Sequence, residues 1–146
     1  MNKYTDLKNR QQEEFNAFSL GAAFGNKQFA EMMQAWGLTE NDTDKIYSIG
    51  GGCYIRKSDH KAFHEMIDRH EKERRNAIAA DLTGYGFIYD MFYTELANHE
   101  YCITLDLEDT VDALGLSVDE INADKRLLRG LEKAVKQYLK DCREDK

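Results

Sequence analysis

Apolar residues along this chain recur mostly three and four positions apart, the spacing of helices that bury one face. Tyr4, Leu7, Phe15 and Phe18 fall near one face and predict a helix over 5–18, although Gln11 interrupts the stripe. Thr5 is its expected N-cap, with Asp6 in the first turn. Leu20–Gly25 reads as a small-residue connector. The next stripe is cleaner. Phe29, Met32, Met33 and Trp36 stand at i, i+3, i+4 and i+7 behind an Asn26 cap, and Gly37 with Leu38 supplies a Schellman-type stop.

The period then changes. Tyr47–Ile49 and Cys53–Ile55 flank Gly50–Gly52, and β-forming residues on either side of a glycine turn predict a hairpin. Ser58 caps a long helix to about Ala80, burying Phe63, Met66 and Ile67 in its first half and projecting the charged run His70–Arg75 into solvent. Gly84 and Gly86 break the chain before a helix at about 86–98. Its Phe87, Ile88, Tyr89, Met91, Phe92, Tyr93 and Leu96 surround most of the axis, so it is expected to be the central helix. Tyr101–Ile103 is a candidate third strand. Leu107, Val111 and Leu114 form a stripe ending at Gly115–Leu116. Ser117–Glu120 has the capping-box pattern, and Leu127, Leu128, Leu131, Val135 and Tyr138 line a last helix. The expectation is one predominantly helical α+β domain over 1–146, with about five to six helices packed around a short hairpin.

Composition narrows the class. The 146 residues suffice for a core without staples, and proline is absent, as suits helices joined by Gly, Asn, Asp and Ser turns. Cys53, Cys102 and Cys142 are too sparse for a disulfide framework and read as reduced thiols in a cytoplasmic protein. The polar N-terminus does not resemble a signal peptide, and no apolar run reaches membrane-spanning length.

Charge adds the least ordinary feature. The formal net charge is −7, but residues 81–124 hold eleven Asp and Glu with no Lys or Arg, while 125–146 hold eight basic and four acidic residues. A solvated acidic face explains much of this, since Asp106, Glu108 and Asp109 suit the start of a helix. The sharper reading is a surface that meets a basic protein.

Candidate chemistry is thin. His60 and His64 share a helical face, but HKAFH lacks the HExxH glutamate and a third ligand, so no metal site is expected. Gly50–Gly52, beside Arg56 and Lys57, fits no phosphate-loop pattern. Cys53 lacks a cysteine-protease context and reads as a strand residue. His99–Glu100 could do acid–base work, though a histidine ending a helix more often meets its free carbonyls. Asn41–Asp44 lacks the later ligands of a calcium loop. The aromatic repeat Tyr85, Tyr89, Tyr93 is more simply packing than base stacking. Asp112–Ile121 looks like a helix-turn-helix, but Asp119 and Glu120 would open the recognition helix and repel phosphates. DNA binding would fall to the basic 125–146 helix alone.

Several stretches carry a resemblance: Phe24–Phe29, Asp44–Lys57, Gly86–Tyr89 and Asn98–Tyr101. With these, most of the chain resembles an uncharacterised family of small proteins from gut Firmicutes, often near mobile elements. The resemblance implies a bacterial or phage setting and an accessory role, and it brings no catalytic residue.

The expected function is therefore non-enzymatic: an interaction protein, acting as an inhibitor or modulator through an acidic surface of Asp106, Glu108, Asp109, Asp112, Asp119 and Glu120. Its expected partner is a protein with a basic surface, with nucleic acid and membrane disfavoured and no cofactor or metal. The alternative is a small enzyme or ligand-binding protein with a pocket near the Gly-rich hairpin and the aromatic helix, around Cys53, Tyr89, His99 and Glu100. The sequence does not specify an oligomeric state.

Overall fold

The computed structural model describes residues 2–144. Within them the chain is mostly helical α+β, with eight α-helices and a small three-stranded antiparallel sheet. In order these are α1 (Lys3–Ala17), β1 (Gly21–Ala22), α2 (Asn26–Ala35), β2 (Ile46–Gly50), β3 (Cys53–Arg56) and α3 (His60–Ala80). Then follow α4 (Phe87–Asn98), α5 (Tyr101–Thr104), α6 (Glu108–Ala113), α7 (Val118–Ala123) and α8 (Lys125–Glu144). The chain divides into two compact units, Gln12–Lys72 and the residues before and after it.

In the Gln12–Lys72 unit, the hairpin forms where the glycines allow it. Gly51 and Gly52 both take positive φ (61° and 76°), as a tight turn matched to the twist of the strands requires. Ile49 is the extra residue of a bulge, since Ser48 pairs with Tyr54 but Gly50 with Cys53. β3 is the central strand, with β1 on its other side through Gly21–Tyr54 and Ala22–Cys53. Met32, Met33, Ala23 and Ile46 form the apolar cluster here, flanked by Phe29, Trp36, Leu38 and Tyr54. Phe15 and Phe18 pack edge-on against Phe63.

The other unit is built on α4, which is buried at Phe87, Ile88, Met91, Phe92, Glu95 and Leu96. The long face of α8 packs on it through Leu127, Leu131, Ala134 and Tyr138, and Tyr4 and Leu7 of α1, Val111, Leu114 and Ile121 complete the core. The all-round apolarity of residues 87–96 thus marks a helix enclosed on several sides.

The chain punctuation forms largely as the residue types require. Leu38 N–H donates to the Met33 carbonyl (2.8 Å) and Gly37 N–H to Gln34 (2.9 Å), the paired bonds of a Schellman stop. Leu116 to Val111 (3.1 Å) and Gly115 to Asp112 (3.0 Å) repeat them at the end of α6. Ser117 Oγ accepts from Glu120 N–H at 3.1 Å and caps α7.

Some expectations need correction. The cap of α1 is Asn2, whose Oδ1 accepts from Thr5 N–H at 2.8 Å, because the helix starts before Thr5. Asn26 is the first residue of α2 and caps nothing; Gly25 holds the cap position without a side-chain bond. The third strand comes from Gly21–Ala22, within the supposed connector, and Tyr101–Ile103 coils into α5. There the Tyr101 ring lies against Tyr138 of α8, with ring centroids 6.5 Å apart. Ile67 is exposed. The charged half of α3 is also less solvated than its composition suggests, since Arg74 Nη1 donates to the Leu114 carbonyl at 2.5 Å.

Candidate functional site

Four of the eleven carboxylates in 81–124 build the fold. Asp81 ends α3 and starts α4: its Oδ1 accepts from Gly84 N–H (2.9 Å), and its Oδ2 from Gly86 and Ile88 N–H (3.0 Å each). Burial would raise its pKa, but the backbone donors of Ile88, Gly84, Gly86 and Thr83 outweigh that and hold it below the usual aspartate range. Asp90 accepts from the backbone of Lys3. Asp124 grips Arg126 at 2.9 Å. Glu95 is buried among Lys8 Nζ (3.5 Å), His99 Nε2 (3.6 Å) and Asn98 Nδ2 (2.9 Å). Burial, with Glu95 beside it, pushes the Tyr4 hydroxyl up.

The other seven are exposed: Glu100, Asp106, Glu108, Asp109, Asp112, Asp119 and Glu120. None of the six expected interaction residues pairs with a cation among the described residues. Asp106 Oδ1 accepts from Glu108 N–H at 2.9 Å and opens α6. Glu108 and Asp109 follow in its first turn, where the helix dipole favours them. Asp112 shares their face by its i+3 and i+4 spacing, yet it sits at the disfavoured end of the helix. Asp119 and Glu120 open α7, and the Glu120 carboxylate accepts from the Ser117 hydroxyl at 3.2 Å.

Apolar side chains stand among these carboxylates. Ile103 is 74% exposed, Leu105 66% and Val118 62%. Leu105 also has φ 54°, and Glu100 at the other end of α5 has φ 50°. A left-handed leucine costs roughly 1–2 kcal/mol, and one that is solvent-exposed recovers little of it by packing. Folding alone gives no reason for an exposed leucine there.

The alternative pocket residues are placed as follows. Cys53 is in β3 of the sheet unit. Tyr89 lies on α4 with its ring near Tyr93 and under Lys133 Nζ (5.1 Å). His99 follows the last turn of α4, about 15 Å along the axis from Tyr89 at the standard helical rise. It turns to Glu95, not to Glu100, whose side chain is exposed. Tyr89, His99 and Glu100 therefore do not converge. A separate open cleft of about 970 Å³ lies along Lys3, Arg10, Asn76, Thr83, Tyr85 and Phe87. Apart from Tyr85 of the aromatic repeat, its polar lining does not stand out in the sequence, because it is drawn from α1, α3 and the following loop.

The remaining motifs lie elsewhere in the fold. His60 and His64 face each other, Nε2 to Nε2 at 2.9 Å, and no group of three or more potential metal ligands occurs among the described residues. Asp42 closes its own turn by accepting from Thr39 N–H at 2.8 Å. The helix-turn-helix pattern becomes two six-residue helices, α6 and α7. No described helix is long and apolar enough to cross a membrane.

Residues 3–137 match the sequence pattern of DUF7659, a family of unknown function. The chain belongs to that family. The DUF7659 match takes in the sheet, the central helix and the acidic segment alike. Comparison with curated proteins and with solved structures gives no match for this DUF7659 member.

Proposed function

We propose that this protein is a non-enzymatic interaction protein that docks a basic protein partner through α5–α7 and inhibits or modulates it. One observation carries the reading: the exposed, left-handed Leu105 directly before the exposed carboxylates of α6. Strain and apolar exposure retained together on a surface are what a binding contact, and not the fold, makes use of. Asp106, Glu108, Asp109 and Asp112 supply charge that steers a Lys- or Arg-rich partner, with Ile103 and Leu105 as the apolar contacts. Asp119 and Glu120 of α7 extend the acidic surface. The resemblance to small proteins of gut Firmicutes and their mobile elements supports a bacterial cytoplasmic setting and a host protein as target.

The test is affinity capture from a bacterial host lysate, followed by binding measurements on the purified partner. Binding should weaken with salt and with charge reversal at Asp106, Glu108, Asp109 and Asp112. Absence of a specific partner, or binding indifferent to these reversals, would sink the reading.

A second reading is a small-ligand protein, supported by the 970 Å³ cleft. None of Cys53, Tyr89, His99 and Glu100 lines this cleft. A metabolite screen by ligand-observed NMR, with Tyr85→Ala as the control that loses any signal, decides it.

A further inference from the structure

Two of the three cysteines, 40 positions apart in the chain, meet at one hydroxyl. Tyr138 donates its O–H to Cys102 Sγ at 3.3 Å. Cys142 follows Tyr138 by four residues on the same face of α8, packs against the same core and acts on that hydroxyl. Both thiols thus lie beside the one Tyr138 side chain. Rotation about a Cα–Cβ bond swings a sulfur by about 3 Å. Cys102 belongs to α5, a single turn bounded by two positive-φ residues, Glu100 and Leu105. Such a turn can shift more readily than the 20-residue α8.

We propose that Cys102 and Cys142 are a redox-responsive pair that a peroxide closes into a disulfide, tying α5 to α8. Cys102 is exposed and Cys142 half-buried against the core, so Cys102 meets the oxidant first. Its thiolate attacks hydrogen peroxide; the S–O bond forms, the O–O bond breaks, and the hydroxide released takes a proton to leave as water. The Cys142 thiolate then attacks the sulfenic sulfur. The S–S bond forms, the S–O bond breaks, and a second water leaves. In sum, two thiols lose two protons and two electrons, and one peroxide becomes two waters. Tyr138 aims its donor at the sulfur where thiolate charge develops. In a reducing compartment the bond would be transient, as sensing disulfides are.

The inference does not depend on the docking reading, and its test needs no partner. The full-length chain is treated with hydrogen peroxide, alkylated under denaturing conditions and analysed by intact mass and peptide mapping. The expected result is loss of the two thiol hydrogens per chain and a peptide joining Cys102 to Cys142. That product should persist in Cys53→Ser and vanish in Cys102→Ser and Cys142→Ser. The wild-type peptide map decides even if a serine variant folds poorly. A bridge to Cys53, a disulfide only between chains, or oxygen addition without a bridge would each overturn it.

Discussion

Arg126 Nη1 donates to the Asp81 carbonyl oxygen at 2.8 Å, while the Asp81 carboxylate accepts from the first turn of α4. The same nitrogen reaches the Ile78 carbonyl at 3.0 Å, so one guanidinium satisfies the open end of α3. Asp124 holds the guanidinium from the other side. One residue pair thus joins the end of α3, the start of α4 and the start of α8.

Arg126→Ala removes these bonds and takes from the part-buried Asp81 carbonyl its guanidinium donor, while the Ile78 carbonyl keeps only the Asp81 N–H at 3.2 Å. It should destabilise the protein by about 2–3 kcal/mol, and Arg126→Lys should recover only part of this, since one ammonium cannot serve both the carbonyls and Asp124. Urea denaturation checks it; a change below about 0.5 kcal/mol would contradict the role given to Arg126.

The depressed pKa of Asp81 has a definite pH signature. Its stabilising contribution is complete above the ordinary aspartate pKa of about 3.9 and disappears as pH falls through the lower folded value. Asp81→Asn should be less stable at neutral pH and should show a shallower loss of stability in acid. Thermal melts from pH 7 to 2 measure this, and parallel curves for the two proteins would refute it.

Gly130 lies inside α8, where alanine would ordinarily stabilise by about 1 kcal/mol. Here the sign should invert. A Cβ at Gly130 would stand 2.5 Å from both the Gly84 carbonyl oxygen and Ile88 Cγ2. Gly84 in turn has φ 91°, and a Cβ there would collide with the Arg126 carbonyl. Gly130→Ala should cost about 1–3 kcal/mol and Gly84→Ala more. Equal or increased melting temperature for Gly130→Ala would show that the close approach is not maintained.

Much of this architecture follows directly from residue type and spacing. The Schellman stops at Gly37 and Gly115, the Ser117 cap and the enclosed α4 rest on local rules, and local rules can be read from a single chain. What escaped depends on distant partners. Gly21–Ala22 is too short to carry a strand pattern and becomes β1 only because β3 offers an edge. Adjacency in the sequence pairs His99 with Glu100, but helical geometry turns it back to Glu95, four residues earlier. The charge count over 81–124 could not separate Asp81, Asp90, Glu95 and Asp124, which hold the fold, from the carboxylates left exposed. The Cys102–Tyr138–Cys142 contact was equally hidden, since α5 and α8 meet only in the folded chain.

Leu105 separates folding from docking. Leu105→Asn relieves a left-handed leucine with a residue that tolerates the conformation, and should raise stability by about 0.5–1 kcal/mol. If Leu105 serves a partner, the same substitution should weaken binding. Stability and affinity measured on one preparation should move in opposite directions; a variant that gains stability and keeps full affinity removes Leu105 from the interface.

The most direct test compares partner affinity for the wild type, for Asp109→Lys with Asp112→Lys, and for Glu132→Lys, an exposed carboxylate on α8. Isothermal titration at low and physiological salt should show the double variant binding at least about tenfold more weakly, or ~1.4 kcal/mol, with Glu132→Lys close to wild type. Unchanged affinity for the double variant, or an equal loss for Glu132→Lys, would contradict a docking surface on α5–α7.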